Sequence, residues 1–392
     1  CPSKGLTLTP RQRIVVQREI SRLRSTGENA ARLRQMEDGY IYQGERTCAV
    51  DGMCATTCPV AINTGELTKA LRRLKTRGER TQIWANRIAE NFDRVAGILR
   101  MGLKTGHLAH SLLGTWTMEK FTWLARYASG NRIPLWSRYM PRGVDAPTGI
   151  TVHHSSPLQV VYFPSCISRT MGPAKGDPDK EPLHDVTVWV LFRAGYDVIY
   201  PQNMDRLCCG TPFDSKGLKE QADMKAEELQ DALMKATNDG KLPVLCDTSP
   251  CLYRMRQVMN PALNLYEPVE FIHDFLLDKL VFTKQPRTAA IHTTCSSIKM
   301  DLTDKFRTVA QACAQKVVVP ERVGCCGFAG DRGFTHPELN ESALKELKSA
   351  VSATCTNGYS NSRTCEIGLS LHSGLYYKSI LYLVDECTKN EH

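Results

Sequence analysis

Residues 48–59 read CAVDGMCATTCP. Cys48, Cys54 and Cys58 keep the rhythm of the bacterial ferredoxin run C-x2-C-x2-C-x3-C-P, with Asp51 where its second cysteine stands. A short run of this kind wraps three corners of an iron–sulfur cluster, and a distant cysteine supplies the fourth. In two-cluster ferredoxins the cysteine before proline serves the other cluster. Cys1-Pro2 has the form of such an ending. One cluster is therefore expected on Cys1, Cys48, Asp51 and Cys54. A second would take Cys58 and three cysteines lying upstream of Cys1. Asp51 either ligates iron through oxygen or leaves a corner open, giving a 3Fe-4S cluster or a 4Fe-4S cluster with an exchangeable iron. A surface aspartate in the turn before Gly52 is the plainer alternative.

The composition suits that chemistry. The chain of 392 residues is long enough for two or three domains, and its hydrophobic content of 42% excludes a disordered chain. Sixteen cysteines, two pairs of them adjacent, point to metal ligation rather than disulfides, because vicinal pairs rarely reach disulfide geometry. Reduced thiolates imply the cytoplasm or another reducing compartment. The net charge of +9 is densest in RQRIVVQREISRLR (11–24) and LRRLKTRGER (71–80). These basic helices read as solvated surface and carry no recognised nucleic-acid-binding motif. No apolar run approaches the ~20 residues of a membrane span.

Helical spacing predicts one long helix over residues 10–38, opened by Pro10, and a second from about Thr64 to Arg77 ending near Gly78. Residues 83–130 predict two amphipathic helices, rich in Trp, Phe and Arg, broken near Lys104–His107. They read as a pair covering a neighbouring domain, or as a platform on a membrane surface or quinone. A Pro- and Gly-punctuated linker follows over 133–157. From residue 158 strand and helix alternate, with helices expected over 183–194, 217–237, 302–314 and 338–351; the order recurs after residue 281. The expected fold class is α plus α/β: an α-helical ferredoxin-like domain (1–80), a helical insert and linker (81–157), and two repeated α/β units (158–280 and 281–392).

Each unit carries C…CCG…C just beyond strand ends. The first set is Cys166, Cys208, Cys209 and Cys251, with Cys246 as an additional candidate; the second is Cys295, Cys325, Cys326 and Cys365. Gly210 and Gly327 remove a side chain beside each pair, so backbone N–H groups can approach sulfur and tune a cluster's potential. Zinc in one half is an alternative, since four thiolates also make a structural zinc site. Cys313, Cys355 and Cys387 fit no register.

The segments YFPSCISRTMG, RLCCGTPFDSKGL, CDTSPC and GCCGFAGDRGF resemble the cysteine-rich CCG domains of heterodisulfide reductase, the glycolate oxidase iron–sulfur subunit and lactate-utilisation proteins. With CPSKGLTLTPRQR, CAVDGMCATTCPVAINTGEL and GYSNSRTCEIGLSLHSG included, nearly the whole chain resembles the C-terminal part of cytochrome-type, FAD-linked D-lactate dehydrogenases. That resemblance implies an FAD-binding dehydrogenase domain upstream, fused or separate. It also implies oxidation of D-lactate or a similar 2-hydroxy acid there, and relay of electrons through clusters to a quinone or cytochrome acceptor. Peripheral contact with the inner face of the membrane would follow. The rival functions are a thiol or disulfide oxidoreductase acting at a CCG cluster, and a zinc-stabilised interaction module. Heterodisulfide reductase ends each of its CCG sets with a close C-x-x-C. Here Cys246 and Cys251 stand farther apart and Cys365 has no paired cysteine, which argues against noncubane clusters and disulfide reduction.

Overall fold

Thr9 starts the first helix: its hydroxyl accepts from the Gln12 amide while the Gln12 side chain accepts from the Thr9 N–H, a reciprocal capping box. The helix runs Pro10–Thr26 and stops at Gly27, whose φ of 69° closes it in the left-handed region. Asn29 then caps a separate helix, Ala30–Tyr40. The single helix expected over 10–38 is thus two, because Gly27 supplies a stop and Asn29 a start just after it. The computed structural model describes residues 1–131, 133–147, 156–351 and 355–389. A π-helical turn, Ile41–Arg46, leads into the cysteine loop, and helix Thr64–Thr76 follows close to its expected bounds. Buried Arg13 ties these pieces together, donating to the Gly44 carbonyl at 2.9 Å and the Thr47 carbonyl at 3.4 Å.

The next zone forms helices Glu79–Glu90 and Phe92–Ala128. The expected break at Lys104–His107 is absent. The second helix instead kinks at Gly114, where φ 79° and ψ 166° leave the helical region. In the expected linker, strand β1 (Pro141–Gly143) pairs antiparallel with β3 (Met171–Ala174); residues 148–155 of that linker lie outside the described residues.

Two parallel four-stranded sheets follow. The first comprises β2 (Gln159–Phe163), β4 (Asp197–Ile199), β5 (Val244–Cys246) and β6 (Leu265–Tyr266), in spatial order β4-β2-β5-β6. The second comprises β7 (Gln285–Ile291), β8 (Ala314–Val318), β9 (Cys355–Tyr359) and β10 (Tyr376–Lys378), in order β8-β7-β9-β10 when read from the matching edge. Counted within each unit, both orders are 2-1-3-4. The expected repeat is therefore a repeat of topology, not only of cysteine spacing. Strand β2 is apolar from Val160 to Phe163, all buried, because helices cover both sides of a parallel sheet. Val160, Tyr162 and Leu245 of the first sheet share one hydrophobic cluster with Ala289, Ile291 and Tyr359 of the second. The helix expected over 338–351 is divided into Pro337–Leu344 and Leu347–Ala350.

A buried carboxylate also joins the units. Glu267, after β6, accepts from Ser249 Oγ at 2.8 Å, Asn361 Nδ2 at 2.6 Å and the Val269 amide at 2.6 Å. Ser249 in turn donates its amide to the Asn361 carbonyl at 3.0 Å. Burial outweighs those three donors and pushes the Glu267 carboxyl up to about 7. The raised value means that between the unfolded carboxyl's range and pH 7 the folded chain holds a proton that the unfolded chain has released. Stability should therefore fall as pH rises through that window, by about 3 kcal/mol at most for the full shift. Urea midpoints at pH 5 and pH 8 should show this loss, and Glu267→Gln should reduce it, leaving the share of Glu366, which burial also pushes up to about 7. An equal slope in both proteins would place the titration elsewhere.

Candidate metal–sulfur sites

In each α/β unit the expected cysteines gather at the carboxyl ends of the strands. Cys166 follows β2, Cys208 and Cys209 follow β4, and Cys251 lies in helix Ser249–Val258 after β5. In the second unit Cys295 follows β7, Cys325 and Cys326 follow β8, and Cys365 lies in helix Arg363–Ser373 after β9. Strand order reverses between β2 and β5, and again between β7 and β9. That reversal opens the crevice in which open parallel sheets hold ligands.

The four thiols of each set form a chain of contacts. Cys208 meets Cys166 and Cys209, and Cys209 meets Cys251. Likewise Cys325 meets Cys295 and Cys326, and Cys326 meets Cys365. Among the described residues no three His, Cys, Asp or Glu side chains close on a point as a single ion requires.

Each CCG glycine is required twice over. Gly210 donates its amide to Cys208 Sγ at 3.4 Å, and Gly327 donates to Cys325 Sγ at 3.4 Å. The amide of Phe328 adds a bond to Cys326 Sγ at 3.4 Å. Both glycines sit at positive φ, 83° and 73°, which aims successive N–H groups at the sulfurs as an anion-binding nest. A Cβ on Gly210 would overlap the Ala222 carbonyl oxygen of helix Lys219–Ala236. One on Gly327 would lie 2.6 Å from the Leu339 carbonyl oxygen of helix Pro337–Leu344.

The electrostatics of the two quartets differ. In the first, a hydrogen bond from Cys208 holds Cys166 below the usual thiol range, and bonds from Cys208 and Cys251 hold Cys209 well below it. Two buried cations stand there. Arg169, 2% exposed, donates to the Met204 and Leu207 carbonyls, and its charge reaches Cys166 and Cys208. Arg254 donates to the Cys209 carbonyl at 2.9 Å and is ion-paired with Asp214 and Asp223, while Arg169 stands 3.9 Å from Asp205. In the second quartet contact with Cys325 and burial push Cys295 well above the thiol range. Cys325 also lies above it although Cys295 donates to it, because contact with Cys326 and burial act the other way. The cation there is Lys299, placed 3.7 Å from the Tyr253 ring centroid.

Sequence reasoning does not single out these three cations, though a signal exists. Arg169 and Arg254 each follow a cysteine by three residues and Lys299 follows Cys295 by four, about one helical turn.

Cys246 packs beside Cys209 and Cys251 but lies outside the chain of thiol contacts that links the first quartet. Fully buried at the end of β5 among Val161, Leu252 and Met255, it is pushed well above the thiol range by burial, and its thiol faces the Thr248 carbonyl at 3.8 Å. It is placed as a core thiol.

Around the opening motif, each side chain finds its own neighbours. Cys54 Sγ accepts from the Thr64 amide at 3.3 Å, while Cys1 Sγ lies 3.1 Å from Ser3 Oγ and 3.5 Å from Arg13 Nη1. Arg72 donates to the carbonyl of buried Cys48 at 3.2 Å, and Cys58 is half-buried at the end of the loop. Asp51 accepts from the Met53 amide through Oδ1 at 3.3 Å; its Oδ2 is buried without a partner. The short helix Met53–Thr56 packs on helix Cys295–Lys299, and the Asp51 charge reaches both Cys295 and Cys325. The residue read as part of the ferredoxin-type loop thus also stands beside the second quartet.

Residues 160–256 and 289–369 match the cysteine-rich domain family, CCG. Both α/β units are therefore similar to one known domain, and the two matched spans contain both quartets. The chain is also similar to lactate utilization protein A of Oceanobacillus iheyensis, at 24% identity over 185 residues, or 43% of this chain and 73% of that protein. Lactate utilization protein A of Shouchella clausii is 22% identical over 209 residues, 50% of this chain and 83% of that protein. The two thiol quartets, the amide donors on their sulfurs and the unpartnered Asp51 oxygen are compatible with iron–sulfur clusters.

Proposed function

We propose that this chain is the iron–sulfur electron-transfer portion of a flavin-linked D-lactate, or D-2-hydroxy acid, dehydrogenase, passing electrons from FAD to a quinone or cytochrome acceptor. The observation that carries this reading is the duplicated site: two thiol quartets, each at a sheet's switch point with a positive-φ glycine donating to sulfur. The likeness to two lactate utilization proteins supports a redox-related role in lactate metabolism. Bound iron–sulfur clusters would supply one-electron carriers. The chain's own residues would do the rest. Amides of Gly210, Gly327 and Phe328 stabilise negative sulfur, Arg169 and Arg254 offset charge at the first quartet, and the surrounding apolar side chains exclude water. The Asp51 carboxylate beside Cys295 and Cys325 should hold the second quartet's potential down, so electrons would run from the second quartet, beside the ferredoxin-type loop, toward the first.

The test is redox titration of anaerobically purified chain, followed by electron paramagnetic resonance, with iron, zinc and acid-labile sulfide measured on the same sample. Iron and sulfide in near-equal amounts and at least two reversible one-electron transitions are expected. Zinc without sulfide would overturn the reading in favour of a structural module. In Asp51→Asn protein, loss of a negative charge beside Cys295 and Cys325 should raise one potential and leave the other unmoved. Two unmoved potentials would remove Asp51 from the second site.

A further inference from the structure

Helix Phe92–Ala128 is apolar on two opposite faces, and the described residues cover only one. The covered face starts at the first quartet: Ala89 and Phe92 pack with Cys208, Phe213 and Ala222, and Cys166 adjoins them. Arg100 adds an ion pair to Asp205, and Lys104 another to Asp145. On the far side, apolar residues at helical spacings form a stripe along the kinked helix. Ile98, Leu108 and Leu112 mark its first part, and Trp116, Trp123 and Tyr127 continue it beyond Gly114. Arg94 stands at the head of the first part and Lys120 between the two tryptophans of the second. Leu112 is 78% exposed, Trp116 72% and Tyr127 78%. Trp84, on the preceding helix, is 63% exposed beneath the Arg87 guanidinium. At 1.5 Å per residue the parts before and after the Gly114 kink are about 30 Å and about 20 Å long.

We propose that this ridge lies in the headgroup region of an anionic lipid surface. The chemistry favours lipid over a partner helix on three grounds. No Asp or Glu occurs between Asp93 and Glu119, whereas cations stand at both parts of the stripe; a coiled-coil seam would be flanked by both signs. Trp and Tyr rings beside Lys and Arg are the side chains that settle at a membrane–water boundary. The Gly114 kink interrupts the continuous helix that a coiled coil needs, and exposed Leu99, Leu113 and Leu124 make the apolar face wider than a seam. Among the described residues no helix is long and apolar enough to cross a membrane, so the ridge would rest on one leaflet. Seated there, it would hold the first quartet next to an acceptor dissolved in or bound to lipid. The lipid contact itself does not depend on the redox reading.

Flotation of the full chain with vesicles tests it. Vesicles of phosphatidylcholine plus phosphatidylglycerol should carry the chain, those of phosphatidylcholine alone should carry much less, and added salt should weaken the first. Trp116→Ser/Trp123→Ser/Tyr127→Ser should bind about tenfold less tightly, as should Arg94→Glu/Lys120→Glu, with unchanged circular dichroism. These side chains lie on the open face, so the fold should persist. Failure to float, or equal flotation of all forms, would overturn the proposal. So would sedimentation showing that the chain dimerises through this face and the variants do not, with vesicles left unbound.

Discussion

Cys209→Ala should abolish the metal–sulfur content of the first unit, whereas Cys246→Ala should retain it. Both cysteines are buried; in the sequence Cys209 belongs to the CCG pair, and Cys246, five positions before Cys251, is an additional candidate. Their surroundings separate them. Cys209 touches Cys208 and Cys251, lies 3.2 Å from Thr211 Oγ1, and is held well below the usual thiol range by those contacts. It is the natural thiolate of the set, and its loss leaves three sulfurs to hold a charged centre in a buried crevice. Cys246 is held neutral by burial and fills core volume. Its truncation should cost about 1–2 kcal/mol of packing and leave iron and sulfide at the level of the unaltered chain. Iron and labile sulfide per chain, measured after anaerobic reconstitution, would decide it. Equal losses in both variants would return Cys246 to the ligand set.

The second large effect belongs to the CCG glycines. Gly210→Ala puts a side chain into the left-handed region, at about 1–2 kcal/mol, and drives its Cβ into the carbonyl of Ala222, adding about 1–3 kcal/mol of overpacking. Neither the helix backbone nor the loop can yield without moving the Gly210 amide off Cys208 Sγ. Gly327→Ala meets the same obstacles at Leu339 and Ala343. A domain's whole stability is about 5–15 kcal/mol, so each variant should lower the urea midpoint markedly. It should also shift the potential of its own unit. A surface exchange at Gly5, where nothing lies within 4 Å, provides the control. Unchanged midpoints in both CCG variants would refute the packing argument.

Much of the fold is legible in the sequence because local rules and tertiary demands coincide. Apolar strands running into cysteines, followed by helices, mark the two α/β units, and the observed helices Leu183–Arg193, Lys219–Ala236 and Thr303–Cys313 fall within a few residues of expectation. The three-residue strands β4 and β5 are legible by the cysteines that follow them, whereas β6 and β10 lead to none and are missed. β6 has two residues and β10 three, too few to show a period. The helix break is misplaced for a related reason. Lys104–His107 is polar enough to interrupt the apolar pattern, but a helix carries such residues easily on its surface. The kink falls instead at Gly114, where a missing Cβ permits a positive φ.

By itself, the amino-acid order marked the C…CCG…C cysteines, with Cys246 left as a further candidate, and where glycine had to stand, because a CCG pair and a positive φ are properties of a few consecutive residues. Tertiary structure alone decided the remainder. It set Asp51 beside Cys295 and Cys325, withdrew Cys246 into the core, and brought Arg169 and Arg254 to the first quartet. It also left one apolar face of helix Phe92–Ala128 open to solvent. The physical reason is that periodicity reveals which side chains share a face, while burial and electrostatic neighbours depend on what packs against that face from distant parts of the chain.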